Sequence, residues 1–268
     1  MKRFLSLFLV IVLSMSVLVG CQQNKEDVDV NNEGEEVVNE VKDEERILRL
    51  DGDNLGYPSV YTVSPKGRGY LLTSFIFDTL TWKDENGIVP MLAKEWKVSE
   101  DNKVWTFTLV ENAKFTDGEP VTAEDVKFSF DYIQDHPYQW VSLNMVDKVE
   151  VIDDYTVEIT LKDVYAPFIT DVAGKVPIMP KHIWEDVEEP EKFDTEEAVI
   201  GSGPLMLEKY EEDTGVYVFI ANKDYFLGEP VIDKLILSPN SNSKEALEKG
   251  EIDGAQQIKY GEAMQIKE

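Results

Sequence analysis

The sequence is poor in the residues that catalysis and metal binding most often use. It has one cysteine and two histidines in 268 residues. A lone cysteine, Cys21, excludes a disulfide within the chain. The two histidines, His136 and His182, belong to no recognisable set of nucleophile and base. His182 and Glu185 could in principle place two metal ligands one helical turn apart. We nevertheless predict no catalytic residue, no metal site and no cofactor.

Positive charge is also scarce. The chain has 26 lysine and arginine residues against 53 aspartate and glutamate residues, a formal net charge of −27. Nucleic-acid binding depends on cations that neutralise phosphates, so this balance argues against a nucleic-acid partner and against direct binding to anionic membranes. The acidity slightly favours a cationic ligand, although acidic surfaces commonly serve only to keep exported proteins soluble.

The amino terminus has the plan of an export signal. Lys2 and Arg3 precede an uncharged, mostly apolar stretch over residues 4–19. The stretch is shorter than the roughly 20 residues of a comfortable membrane span, which favours a signal peptide over residues 1–20. It ends in Leu-Val-Gly-Cys, which resembles a bacterial lipobox, so we expect Cys21 to carry a lipid. The alternative is an ordinary secretory signal followed by an incidental thiol.

Residues 21–45 differ sharply in composition from residues 46–268. After Cys21 the segment contains ten acidic residues and two lysines, with no aromatic residue and no proline. Such a sequence buries too little apolar surface to offset its ordering entropy. We predict a disordered acidic tether over residues 21–45. Residues 46–268 are long enough for one sizeable domain with its own core.

The stretch from Leu92 to Asp131 has the clearest local pattern. Trp105, Phe107 and Leu109 alternate with threonines, which is typical of a half-buried strand. Asp117-Gly118 predicts a turn. Thr122 is placed as a helix N-cap with carboxylates in the first turn, and the apolar residues after it recur with helical spacing.

Later segments alternate between strand and helix patterns. We expect a hairpin from residues 149–152 and 155–161, and further strands over residues 217–221 and 235–237. Ser243 is expected to cap a short helix that ends before Gly250. Gly201-Ser202-Gly203 is expected to form a backbone turn, because it lacks the lysine of a phosphate loop. The predicted class is mixed α/β.

The motifs resemble, in order, those of the family 5 extracellular solute-binding proteins, the peptide- and nickel-type receptors of ABC importers. Besides residues 92–131, the motifs are Phe77-Asp78-Thr79-Leu80, Pro167-Phe168, Pro180-Lys181-His182-Ile183, Ile200-Gly201-Ser202-Gly203-Pro204, Ala221-Asn222-Lys223-Asp224-Tyr225-Phe226 and Lys249-Gly250-Glu251-Ile252-Asp253. The resemblance implies a periplasmic-binding-protein-like fold of type II.

The resemblance also implies an incomplete domain. Family members commonly have two lobes that close on a ligand, and the motif at residues 249–253 lies just before the chain crosses to the second lobe. We therefore expect residues 46–268 to form the first lobe, with the second lobe missing and ligand binding weakened as a result.

The implied function is that of a substrate-binding lipoprotein of an ABC transporter, not of an enzyme. It would bind peptides or a similar small solute outside the cell and deliver the solute to the permease and ATPase subunits, while the lipid holds it at the membrane. The resemblance places Trp140, Tyr138, Tyr70 and Lys175 at the ligand. The alternatives are a non-transporting surface lipoprotein or truncated remnant with an interaction role, and a lipid-anchored hydrolase.

Overall fold

A computed structural model describes residues 45–64 and 68–256. The strands are β1 (Ile47–Gly52), β2 (Thr81–Asp84), β3 (Gly87–Pro90), β4 (Ala93–Val98), β5 (Val104–Leu109), β6 (Val146–Asp153), β7 (Thr156–Leu161), β8 (Leu205–Glu211), β9 (Val216–Ala221) and β10 (Lys234–Pro239). The α-helices are α1 (Gly69–Ile76), α2 (Ala123–Asp135), α3 (Phe168–Asp171), α4 (Lys181–Trp184) and α5 (Ser243–Glu248). The predicted signal peptide, Cys21 and the tether before Glu45 lie outside the described residues.

The strands form two four-stranded sheets and one hairpin. The first sheet has the order β1-β10-β9-β8, in which β1 runs parallel to β10 and the other neighbours are antiparallel. The second sheet has the order β4-β5-β7-β6 and is antiparallel throughout. β2 and β3 pair only with each other. The mixed α/β class is therefore confirmed.

Strand β5, one of the two inner strands of the second sheet, is the strand that the alternating pattern predicts. Trp105, Phe107 and Leu109 are buried on one face of β5. Phe168, at the start of α3, packs its ring 5.3 Å from that of Trp105. The threonines between them are half-buried on the opposite face. Burial of one face fixes the register of this strand against both neighbours.

Helix α2 begins as predicted. Thr122 is the N-cap, and its backbone N–H and its hydroxyl both donate to the Asp125 carboxylate, at 2.9 and 2.8 Å. Val126, Phe130 and Ile133 are buried, so the helix packs through the predicted apolar stripe. The helix ends at Asp135, close before Pro137, because the residue before a proline disfavours helical geometry.

The start of α5 corrects one prediction. Asn242, not Ser243, is the N-cap, and its side chain accepts the Glu245 backbone N–H at 3.2 Å. The Ser243 hydroxyl instead donates to Asp51 at 2.7 Å, which fixes this helix to the end of β1. Gly250 follows the helix with φ +70°, as expected of a glycine in the C′ position.

Gly201 and Gly203 are needed mainly because the 201–203 loop packs closely against α1, and less for the freedom of a turn. A Cβ on Gly201 would lie 2.1 Å from the Ile76 carbonyl oxygen, and one on Gly203 would lie 2.5 Å from that of Phe75. The Gly203 N–H donates to the Ile76 carbonyl at 2.7 Å. The loop is therefore fitted directly against the C-terminal end of α1.

Within the described parts of the chain, no helix has both the length and the apolar character needed to cross a membrane.

Candidate functional site

A cluster of aromatic rings lies where α1 begins, beside the segment that joins α2 to β6. The Trp140 ring meets the Tyr70 ring edge to face at a centroid distance of 6.1 Å. It meets the Tyr138 ring in the same manner at 5.3 Å. Three of the four predicted ligand residues are thus in contact with one another. Edge-to-face pairs of this kind hold rings in fixed orientations.

Gly69 permits this contact. Its position as the first residue of α1 brings it under the Trp140 indole, so that an added Cβ would lie 3.3 Å from Trp140 Cη2. The same Cβ would lie 2.4 Å from the Ser64 carbonyl oxygen, which no side chain can tolerate. A glycine here lets the 137–144 segment lie close against the helix start.

Tyr138 forms the inner side of the cluster. It is only 3% exposed and packs beside the start of α1 through its contact with Trp140. Burial raises the pKa of Tyr138 above its usual range, so the phenol stays neutral. The ring lies behind Trp140 and supports it, whereas Trp140 and Tyr70 are half-buried and reach the surface.

Lys175 lies close to the same cluster. The Tyr70 hydroxyl donates to the carbonyl oxygen of Gly174, the residue before Lys175, at 3.4 Å. Lys175 Nζ is 3.8 Å from Asp171 Oδ1, and both side chains are more than 40% exposed. An exposed pair of this kind is weak, so the ammonium can exchange Asp171 for another carboxylate at little cost. The structure therefore brings all four predicted residues into one region.

A groove of about 730 Å³ runs along the 137–144 segment beside Trp140. This volume falls within the range of small-molecule sites in proteins. Its polar side chains are Gln134, Gln139, Ser142, Asn144 and Lys162. Lys162 Nζ donates to the Asn144 carbonyl at 2.9 Å and holds the far end of the segment.

The sequence predictions missed these polar groove residues. Amides and hydroxyls beside an aromatic wall suit a ligand that has peptide groups, because each amide both donates and accepts. The signal in the sequence is the density of amide side chains around Trp140 between α2 and β6. That signal is weak, since amides are also common in ordinary surface loops.

The histidines take structural positions. His182 Nε2 lies 2.8 Å from Asp117 Oδ2, which connects α4 to the 117–118 turn. The His136 ring stacks on that of Tyr132 at a centroid distance of 4.3 Å. In the described portion of the chain, no three residues among histidine, cysteine, aspartate and glutamate come together as a metal-binding group.

Residues 87–268 match the sequence profile of the bacterial extracellular solute-binding proteins, family 5. The nickel-binding periplasmic protein of Escherichia coli K12 is 32% identical over 191 residues, which cover 67% of this chain and 35% of that protein. Di/tripeptide-binding protein 1 of Pseudomonas aeruginosa is 29% identical over 212 residues, 70% of this chain and 38% of that protein.

The fold is similar to that of solved structures in the same group. The ABC transporter substrate-binding protein CtaP of Listeria monocytogenes superimposes with a TM-score of 0.70 at 29% identity, covering 83% of this chain and 46% of CtaP. The match thus spans between a third and a half of the length of these three proteins.

Proposed function

Because the chain belongs to the bacterial extracellular solute-binding proteins of family 5, we propose that it is the substrate-binding component of an ABC transporter. In this proposal it binds peptides or a similar small solute outside the cell and passes the solute to the membrane permease, whose ATPase subunits supply the energy. The family consists of solute receptors and not of enzymes. Names among the relatives support peptides and nickel as the ligand classes to test first.

The observation that carries the proposal is the contact between Tyr70 and Trp140, of which Trp140 lines the groove. The two half-buried rings provide rigid apolar area with little loss of side-chain entropy on binding. In our proposal, Trp140 and Tyr70 contact the ligand, and Tyr138 holds Trp140 in position from behind. Lys175 would pair with a ligand carboxylate in place of Asp171.

We further propose that residues 1–20 are a signal peptide and that Cys21 carries the lipid anchor. The acidic segment over residues 21–45 would then connect the anchor to the lobe over residues 46–268. The names of relatives support an extracytoplasmic location, since the nickel-binding relative is called periplasmic. Capture of solute at the outer face of the membrane would follow from this arrangement.

The proposal is tested by the binding of tri-alanine to the full chain, measured by saturation-transfer NMR, which detects weak binding. We expect magnetisation transfer to the peptide from the wild-type protein. Trp140→Ala should abolish it, because the substitution removes the wall of the groove. Trp96→Ala is the matched control, since Trp96 is also half-buried but lies on β4.

Two results would contradict the proposal. One is an absence of transfer to tri-alanine and, in a parallel titration, to the nickel–histidine complex. The other is an equal loss of transfer in the Trp140 and Trp96 variants with both proteins folded. A non-transporting surface lipoprotein with an interaction role would then be the better interpretation.

A further inference from the structure

A second cavity lies at the opposite end of α1 from Trp140. It has a volume of about 210 Å³ and is bordered by the last turn of α1, the β2–β3 hairpin and the loops around residues 204 and 225. The buried carboxylate of Asp78 is among its lining groups, and Asp78 is 3% exposed. Tyr70, which contacts Trp140, and Phe75, which lines the cavity, lie near opposite ends of α1. The two residues are about 7–8 Å apart along the helix axis. The cavity is therefore separate from the groove assigned to the solute.

Two hydroxyl groups hold the carboxylate in place. Tyr225 donates to Asp78 Oδ1 at 3.0 Å, and Ser202 donates to Oδ2 at 3.1 Å. These three residues come from three separate motifs of the sequence, and nothing in the proposed solute site uses them. Each carboxylate oxygen accepts more than one hydrogen bond, so capacity remains for a further donor.

Asp78 lacks a cationic partner among the residues that the structure describes. None of the ion pairs found in residues 45–64 and 68–256 includes it. Its other neighbours in the cavity lining are uncharged side chains. A buried carboxylate without a counter-charge is costly, and that cost is removed either by a proton or by a bound cation.

The cavity wall is suited to an organic cation. Trp82, Tyr225 and Phe75 present aromatic rings, and Met91 and Pro204 add apolar surface. Aromatic faces attract ammonium groups, and the apolar atoms accommodate a short hydrocarbon body. A hydrated metal ion would find only one carboxylate, which is too few ligands for a stable site.

We propose that this cavity is a binding site for small primary alkylammonium ions, with the ammonium on Asp78 and the alkyl chain against Trp82 and Met91. The site differs from the proposed solute groove in position and in charge. It does not depend on the transport function, and the two proposals can fail separately.

The test uses n-butylammonium as the probe and n-butanol as its neutral counterpart, titrated into the full chain at pH 8 and followed by NMR and calorimetry. The wild-type protein should bind butylammonium at least about tenfold more tightly than butanol, because only the cation compensates Asp78. Asp78→Asn should remove this preference. Asp84→Asn is the matched control, since it deletes an exposed carboxylate on the neighbouring β2–β3 hairpin.

A second variant keeps the test decisive if Asp78→Asn fails to fold. Trp82→Leu retains apolar volume but removes the aromatic face, and it should weaken butylammonium binding about threefold to tenfold while butanol binding changes little. Equal affinities for butylammonium and butanol would overturn the proposal, because the cavity would then be merely apolar. Absence of binding by both probes would overturn it as well.

Discussion

The hydroxyl of Tyr225 donates to Asp78 across 147 residues of sequence, at 3.0 Å. This bond and the one from Ser202 join the start of the β2–β3 region to two later loops. Burial raises the pKa of Asp78 to about 7, and the two hydroxyl donors partly oppose that rise. The carboxyl is therefore a group whose charge changes near neutral pH.

Asp78 should make the protein less stable as the pH rises, which is opposite to the usual effect of a carboxylate. Because its folded pKa lies above the unfolded value of 3.8, the folded state holds the proton more tightly. The stabilising contribution is complete below pH 3.8 and is lost as the pH rises to about 7. Over that window it amounts to roughly 4 kcal/mol.

The measurement is urea unfolding of the wild type and of Asp78→Asn at several pH values between about 4 and 8. The difference in unfolding free energy should shift in favour of the variant as the pH rises, and should level off above a pH of about 7. A pH-independent difference would mean that Asp78 titrates with an ordinary pKa. Asp84→Asn serves again as the control for loss of one carboxylate.

Tyr225→Phe should destabilise the protein by about 1–3 kcal/mol, because it deprives a buried carboxylate of one donor. The variant should also raise the pKa of Asp78 further, since the Tyr225 hydrogen bond lowers it. Tyr155→Phe is a suitable control, as Tyr155 is half-buried beside β7. Equal stability of the two variants at pH 8 would show that the Tyr225 hydroxyl contributes nothing to this network.

The sequence pattern could predict β5 and α2 because their signals are local. Alternation around Phe107 and the cap at Thr122 each involve residues within one strand or one helical turn. The network around Asp78 could not be predicted, because its partners are 124 and 147 residues away. The cap of α5 was misplaced by one residue, since Asn242 and Ser243 are both good caps and only the distant Asp51 decides between them.

The candidate site likewise has parts that could be predicted from the sequence and parts that could not. The family resemblance selected Trp140, Tyr70, Tyr138 and Lys175, and the structure brings them into one region. Residue type alone did not reveal that Tyr138 is buried, because tyrosine occurs equally in cores and in binding sites. The amide side chains of the groove were missed for a related reason: their common position becomes visible only when the 137–144 segment is folded against α1.

Gly201→Ala should be far more damaging than substitution of an uncrowded glycine such as Gly250. Its Cβ would overlap the Ile76 carbonyl oxygen at 2.1 Å, and the contact is between two backbone segments that cannot easily move apart. We expect a loss of more than about 4 kcal/mol or failure to fold. Gly250→Asn should cost less than about 1 kcal/mol, because asparagine tolerates the left-handed region and nothing lies within 4 Å. Thermal unfolding of the wild type and of both variants measures the two losses of stability.

Lys175→Met should separate a role in binding from a role in stability. Its pair with Asp171 is exposed and long, so unfolding free energy should change by less than about 1 kcal/mol. If Lys175 meets the ligand carboxylate, tri-alanine should bind the variant several-fold more weakly, whereas tri-alanine amide should bind both proteins alike. A similar loss for both peptides would assign Lys175 to the shape of the site and not to carboxylate recognition.

Cys21→Ala should release the protein from the membrane while leaving the lobe folded. In our proposal the Cys21 sulfur carries the lipid, so a single residue change would remove the anchor without touching residues 46–268. In a bacterial host, the wild type should remain with membranes after a high-salt wash and enter the detergent phase, whereas the variant should appear in the soluble exported fraction. Retention of the variant on membranes at high salt would mean that another segment anchors the chain. Loss of both proteins from membranes by salt alone would mean that the attachment is electrostatic, which the net charge of −27 already makes difficult on an anionic surface.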